Sequence, residues 1–149
     1  MTHFRERLTP SVGIWLAVGI LVPAITLMLA PISLWLGLLA AVVLYGGAMV
    51  SLVATAPVIE VTDGVLRAGP GRIDRSYLGA AQAYRGEEAI RRRGPLLDAR
   101  AFRVMRGWVS PVVTVEVNDP RDSVPYWIIS TRRPEQLVAA LRAPQPAQQ

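Results

Sequence analysis

The chain has 149 residues, 52% of them hydrophobic, and a formal net charge of +5, which allows one modest domain with something small beside it. Cysteine and lysine are absent and the single histidine is His3, so disulfides, thiolate or lysine nucleophiles and the usual Cys/His zinc sites are excluded. All 16 basic residues are arginines, in a chain rich in Ala, Gly, Pro and Val; GC-rich codons give that bias without selection, so a functional arginine needs positional evidence.

Residues 1–10 read as a short basic tail carrying Arg5 and Arg7. From Leu8 to Ile59 no residue is charged, a membrane signature. Within 11–56 two apolar runs, 12–29 and 32–55, predict helices of about 27 Å and 36 Å at 1.5 Å per residue, each long enough to cross a hydrocarbon core of roughly 30 Å. Pro31 in "APIS" breaks the helix between them, and Pro23 should bend the first one. A cleaved signal peptide fits poorly: no small-x-small pattern follows the first run, and "ATA" at Ala54–Ala56 lies too deep.

Arginines flank both outer ends of this hairpin and none lies in its turn, which predicts a multi-pass protein of a bacterial inner membrane with both termini cytoplasmic. In the second helix Gly37 and Ala41, and then Gly47, Ser51 and Thr55, recur at four-residue spacing. That small face is a candidate for helix packing, first on its own partner helix and otherwise on a second copy. No charged residue lies inside either span, which argues against a proton relay or ion path.

From Pro57 the pattern changes to short alternating runs. "VIEVT", Asp63-Gly64 and "VLRAG" predict a hairpin with a type I′ turn. "GRIDRSYLGAAQAY" predicts one or two more strands, and "GEEAIRRRG" a short helix with Glu87 and Glu88 placed to pair with Arg91 and Arg92. "AFRVM", "VVTVEV" and "PYWIIS" are further strands, the last two joined by the turn-rich "NDPRDSV". Residues 134–142 predict a helix with Pro134 at its first position, whose Leu137, Val138 and Leu141 close the sheet. The expected fold is therefore α+β: a two-helix transmembrane hairpin, then over 57–143 a small antiparallel β-barrel or sandwich closed by a C-terminal helix. Residues 144–149 read as a disordered tail.

The N-terminal "FRERL", the charge-free hairpin, "VIEVTDGVLRAG", an "RI" and "LGA" pair and the run "NDPRDSVPYWIISTRRPEQLVAAL" together resemble the small actinobacterial membrane proteins of domain of unknown function 3093. The hydrophilic half also resembles a bacterial pleckstrin-homology-like (PH-like) domain. The resemblance implies an architecture and no catalytic residues, and the residues themselves point to no enzyme, no cofactor and no metal site. Asp119 and Asp122 lack the spacing of a calcium loop. "GVLRAGPGRI" lacks the Gly-Lys-Ser/Thr of a phosphate loop.

Arg132 and Arg133 stand where a helix begins, a place whose dipole disfavours cations. With Ser130 and Thr131 they form the candidate anion- or partner-binding site, for a lipid phosphate or a partner's carboxylate; the alternative is that Glu135 and nearby acids neutralise them, or that the pair is simply solvated. Of Tyr126 and Trp127 one should point inward, and the other, with Trp108, is a candidate for the membrane interface. The expected partners are the bilayer, an anionic lipid headgroup or a membrane protein, with a homo-oligomer as a further option and nucleic acid excluded for want of a reading helix. The function expected is non-enzymatic: a membrane-anchored interaction module, or alternatively an accessory subunit of a larger membrane complex.

Overall fold

The computed structural model describes residues 2–143, and the tail over 144–149 lies outside them. It divides into two compact units, one formed by residues 9–56 and the other by 2–8 together with 57–143.

The first unit is helical: α1 (Val12–Gly19), α2 (Leu21–Leu29) and α3 (Leu34–Ala54). The break at Ile20 follows from Pro23, which has no N–H to offer the carbonyl four residues back at Gly19 and whose ring crowds it. Ile20 keeps helical dihedrals, so 12–29 still reads as one bent span of 18 residues beside the 21 of α3, both long and apolar enough to cross a membrane. Ser33 caps α3, its hydroxyl accepting from the Leu36 amide at 3.4 Å. The hydroxyls of Thr26 and Thr55 donate back to the carbonyls of Val22 and Ser51, each at 2.8 Å, and so bond within their own helix.

The second unit holds eight strands in two sheets. In the first sheet β1 (Thr2–Arg7), β2 (Val58–Thr62), β3 (Val65–Ala68) and β4 (Gly71–Asp74) lie antiparallel in that order. A 3-10 turn over Arg75–Tyr77 leads into the second sheet, ordered β5 (Leu78–Tyr84), β7 (Val112–Val117), β8 (Tyr126–Ser130), β6 (Phe102–Val104). One hydrophobic core joins Ile59, Val61 and Leu66 of the first sheet to Val113, Val115, Trp127 and Ile129 of the second, with Leu137 and Val138 of α5 (Pro134–Arg142). On the other face of the second sheet α4 (Gly86–Arg93) contributes Ala89 to a smaller cluster with Val112 and Ile128.

Four expectations need correction. Residues 2–7 are a strand and not a tail: Phe4, Glu6 and Leu8 alternate inward, and Arg5 and Arg7 register with Glu60 and Val58. The sheets do not close into a barrel, and β6 runs parallel to β8. The Asp63-Gly64 hairpin forms, but positive φ among the described residues occurs only at Gly69 and Gly86, so its turn is not type I′. The mirror-type turn sits one hairpin later, where Gly69 at φ +56° precedes Pro70 and fixes Ala68 opposite Gly71, the order a type II′ turn demands. Finally, two arginines of α4 turn to other partners than Glu87 and Glu88: Arg92 lies 4.7 Å above the Tyr84 ring, and Arg93 donates to the carbonyls of Arg106 and Val109, both at 3.0 Å.

Candidate functional site

Helix α5 begins as the sequence predicts, with Pro134 in its first turn and Arg133 at the cap position, which makes no side-chain capping bond. The anion at this helix start is internal. Glu6, 7% exposed on β1, accepts from the Thr131 hydroxyl at 2.5 Å and from the Arg132 amide at 3.0 Å, and the Arg132 guanidinium stands 3.9 Å away. The carboxylate thus receives the amide and charge that a lipid phosphate or partner carboxylate was expected to take.

The other members of the expected site are likewise engaged. Arg133 donates to the Arg5 carbonyl at 3.0 Å and lies 5.1 Å above the Phe4 ring, so it clamps β1 from outside. Its amide donates to the Thr131 hydroxyl at 3.1 Å. Ser130 is fully buried, and its hydroxyl accepts from the Arg106 amide at 3.4 Å. Glu135, expected to neutralise the pair, instead receives two bonds from Arg85, at 2.7 and 2.6 Å. The Arg85 hydrogen bonds draw the Glu135 carboxyl down to about 2. These residues therefore join β1, β5, β8 and α5.

Arg75 does at the other end of α5 what Glu6 does at its start. Only 6% exposed, its guanidinium donates to the carbonyls of Ala140, Leu141 and Ala143 at 3.2, 2.9 and 2.7 Å, and to those of Thr62 and Asp63 at 3.2 and 3.3 Å. A cation on the terminal carbonyls satisfies acceptors that the helix leaves open and complements its dipole. The planar fork of donors is what lets one side chain serve both the helix end and the β2–β3 turn. The sequence offered a signal for Glu6, the alternation Phe4, Glu6, Leu8, and none for Arg75 among so many arginines.

The small-residue positions separate. Gly37 and Ala41 are buried, and a Cβ at Gly37 would stand 2.8 Å from the Thr26 carbonyl oxygen and 3.3 Å from the Leu29 Cβ, so this glycine lets α2 approach α3. Gly47 and Ser51 are exposed on α3, as is the cap residue Thr55, and a Cβ at Gly47 meets nothing within 4 Å. The aromatic expectation also divides. Trp127 is 4% exposed and packs on Phe102 with ring centroids 4.4 Å apart. Tyr126, its hydroxyl accepting from the Asp98 amide at 2.9 Å, packs on the smaller cluster, and Trp108 packs on the main core with its indole N–H 3.4 Å from the Leu8 carbonyl. Both rings expected at a membrane interface are thus partly buried within the β unit.

Asp119 and Asp122 accept from the amides of Arg121 and Val124 at 2.9 and 3.0 Å, which makes them turn formers. Among the described residues no group of three or more His, Cys, Asp or Glu could hold a metal ion. An open groove of about 600 Å³ runs between β5 and α5, lined by Ala83, Tyr84, Glu135, Val138, Ala139 and Arg142 among others.

No curated protein and no solved structure matches the chain. A family model does, over nearly its whole length and across both units, and by that match over residues 3–141 the chain belongs to the family described as protein of unknown function DUF3093.

Proposed function

We propose that the protein is a non-enzymatic, multi-pass protein of a bacterial inner membrane, in which the helical hairpin anchors a PH-like β unit that meets an anionic lipid or a protein at the cytoplasmic face. The observation that carries this reading is the place of the hairpin in the chain. It is inserted between Leu8 and Pro57, two residues of the β unit joined by a hydrogen bond of 3.0 Å from the Leu8 amide to the Pro57 carbonyl. A segment that leaves and returns at one point crosses a bilayer an even number of times. Two apolar helices of 18 and 21 residues joined by a short turn suit that need.

Further support comes from Trp15, near the start of α1, and Trp35, at the start of α3, which stand 40% and 80% exposed near opposite ends of a hairpin. Indole rings favour the two interfaces of a bilayer. Arg5 and Arg7 before the hairpin and Arg67 and Arg72 after it favour the cytoplasmic side for the β unit. Two facing sheets with a C-terminal helix on their core support the PH-like comparison. The test is a reporter active only outside the cytoplasm, fused after Gln149: it should be silent, and a strong signal would reverse the orientation.

A second reading, an accessory subunit of a larger membrane complex or a homo-oligomer, is favoured by the open face of α3 at Gly47 and Ser51. Crosslinking in native membranes separates the two, because a stoichiometric membrane partner would favour the subunit.

A further inference from the structure

The outward face of the first sheet carries a charge pattern that its own packing does not explain. Across β1, β2, β3 and β4 the register sets Arg5 beside Glu60, Glu60 beside Arg67, and Arg67 beside Arg72. Arg5, Arg67 and Arg72 are exposed, while the alternate residues Phe4, Ile59, Val61, Leu66 and Ile73 face the core. Arg67 and Arg72 are therefore direct cross-strand neighbours, with Cβ atoms about 5 Å apart, and like charges so placed destabilise a sheet. The turn at Gly69-Pro70 fixes this register, so the pair cannot slip apart. Two acids share the face: Glu60 lies between Arg5 and Arg67, and Asp74 accepts from the Ser76 amide at 2.8 Å. Arg72 has no acidic cross-strand neighbour on β3, and β4 is the edge of the sheet.

We propose that this arginine row, with the Arg67–Arg72 pair at its β4 end, is a docking surface for the phosphate groups of anionic lipids in the bilayer that holds the hairpin. The proposal rests on the membrane reading above. Two guanidinium forks at that spacing converge on one phosphate, which turns their mutual repulsion into shared attraction. Position supports lipid as the source. Arg5 is three residues before Leu8, where the chain leaves the β unit, or about 10 Å along a strand. That is close to one Debye length at physiological salt, the range over which anionic headgroups attract basic residues.

The test uses the full chain purified in mild detergent, mixed with equal amounts of phosphatidylglycerol and phosphatidylcholine and examined by native mass spectrometry. The unaltered chain should retain phosphatidylglycerol in preference. The double variant Arg67→Gln with Arg72→Gln should bind it about 25-fold more weakly, at about fivefold per arginine. A control with Arg91→Gln and Arg121→Gln, exposed arginines elsewhere, should bind as before. The first variant should unfold at the same temperature or higher, since a repulsion is removed, so lost binding is not lost folding. Equal retention by all three proteins, or equal loss in both variants, overturns the proposal. Carbonate washing of membranes tests the anchor separately: release of the protein sinks the membrane reading, whereas a protein that stays but shows no lipid preference sinks the arginine row alone.

Discussion

Glu6 and Arg75 are the two buried charges at the ends of α5, the first committed to a side-chain hydroxyl and a backbone amide and the second to backbone carbonyls. Removing either leaves groups that cannot reach water, and an unsatisfied buried donor or acceptor costs about 1–3 kcal/mol. Glu6→Ala should therefore destabilise the β unit by about 3 kcal/mol, because both the Thr131 hydroxyl and the Arg132 amide lose their acceptor. Glu6→Gln keeps the shape and one acceptor oxygen and should cost about half as much. Thermal unfolding of the detergent-solubilised protein measures both, and equal losses would mean that shape alone, not the carboxylate, holds the junction. The arginine pair shows what was legible at this scale. The sequence marked Arg132 and Arg133 as an electrostatic anomaly that an anion would relieve, but the acid that meets Arg132 stands 126 positions earlier and no local pattern could supply it. Glu135, the nearest acid in sequence, faces Arg85 because a helix places successive side chains about 100° apart.

Secondary elements were mostly readable where periodicity persisted. The two apolar runs, the alternating strands and α5 with Pro134 in its first turn all form close to their predicted bounds. Strand β1 was not readable as a strand, because a run of six mostly polar residues has no partner nearby: β2 lies beyond the whole hairpin. The small-residue pattern in α3 was legible as a pattern but not as two separate surfaces. Gly37 lies in the contact with α2 and Gly47 in the open. Gly37→Val should therefore weaken the hairpin, since a Cβ there already crowds the Thr26 backbone, while Gly47→Ala should be neutral or mildly stabilising through helix propensity. Resistance to unfolding in rising concentrations of sodium dodecyl sulfate, read by helical circular dichroism, ranks the variants. Equal resistance for both would remove the α2–α3 contact as the reason for glycine at 37.

At the scale of the molecule, the β unit is assembled from both sides of the hairpin, so its boundaries are not those of a continuous segment. Residues 57–143 alone would lack β1, leaving the β2 edge unpaired and Thr131 without Glu6. Replacing 9–56 with Asn-Gly, which joins Leu8 to Pro57 across their existing hydrogen bond, should give a soluble, mainly β protein with one cooperative unfolding transition. The segment 57–143 by itself should unfold at lower temperature or aggregate; equal stability of the two would show that β1 is dispensable.

The placement of β1 also orders events during synthesis. Glu6 leaves the ribosome 125 residues before Thr131, so their bond closes only after that stretch has been made. At roughly 5–20 residues per second that interval is on the order of 6–25 s, and although β1 can pair with β2 once Val58–Thr62 has emerged, Glu6 waits without Thr131 throughout. The Glu6–Thr131 junction is in effect a molecular record that synthesis has passed β8. A chain cut short before β8 would leave Glu6 without its partners and the apolar face of the first sheet without Trp127, Ile129 and Leu137, within reach of the proteases that remove unfinished proteins.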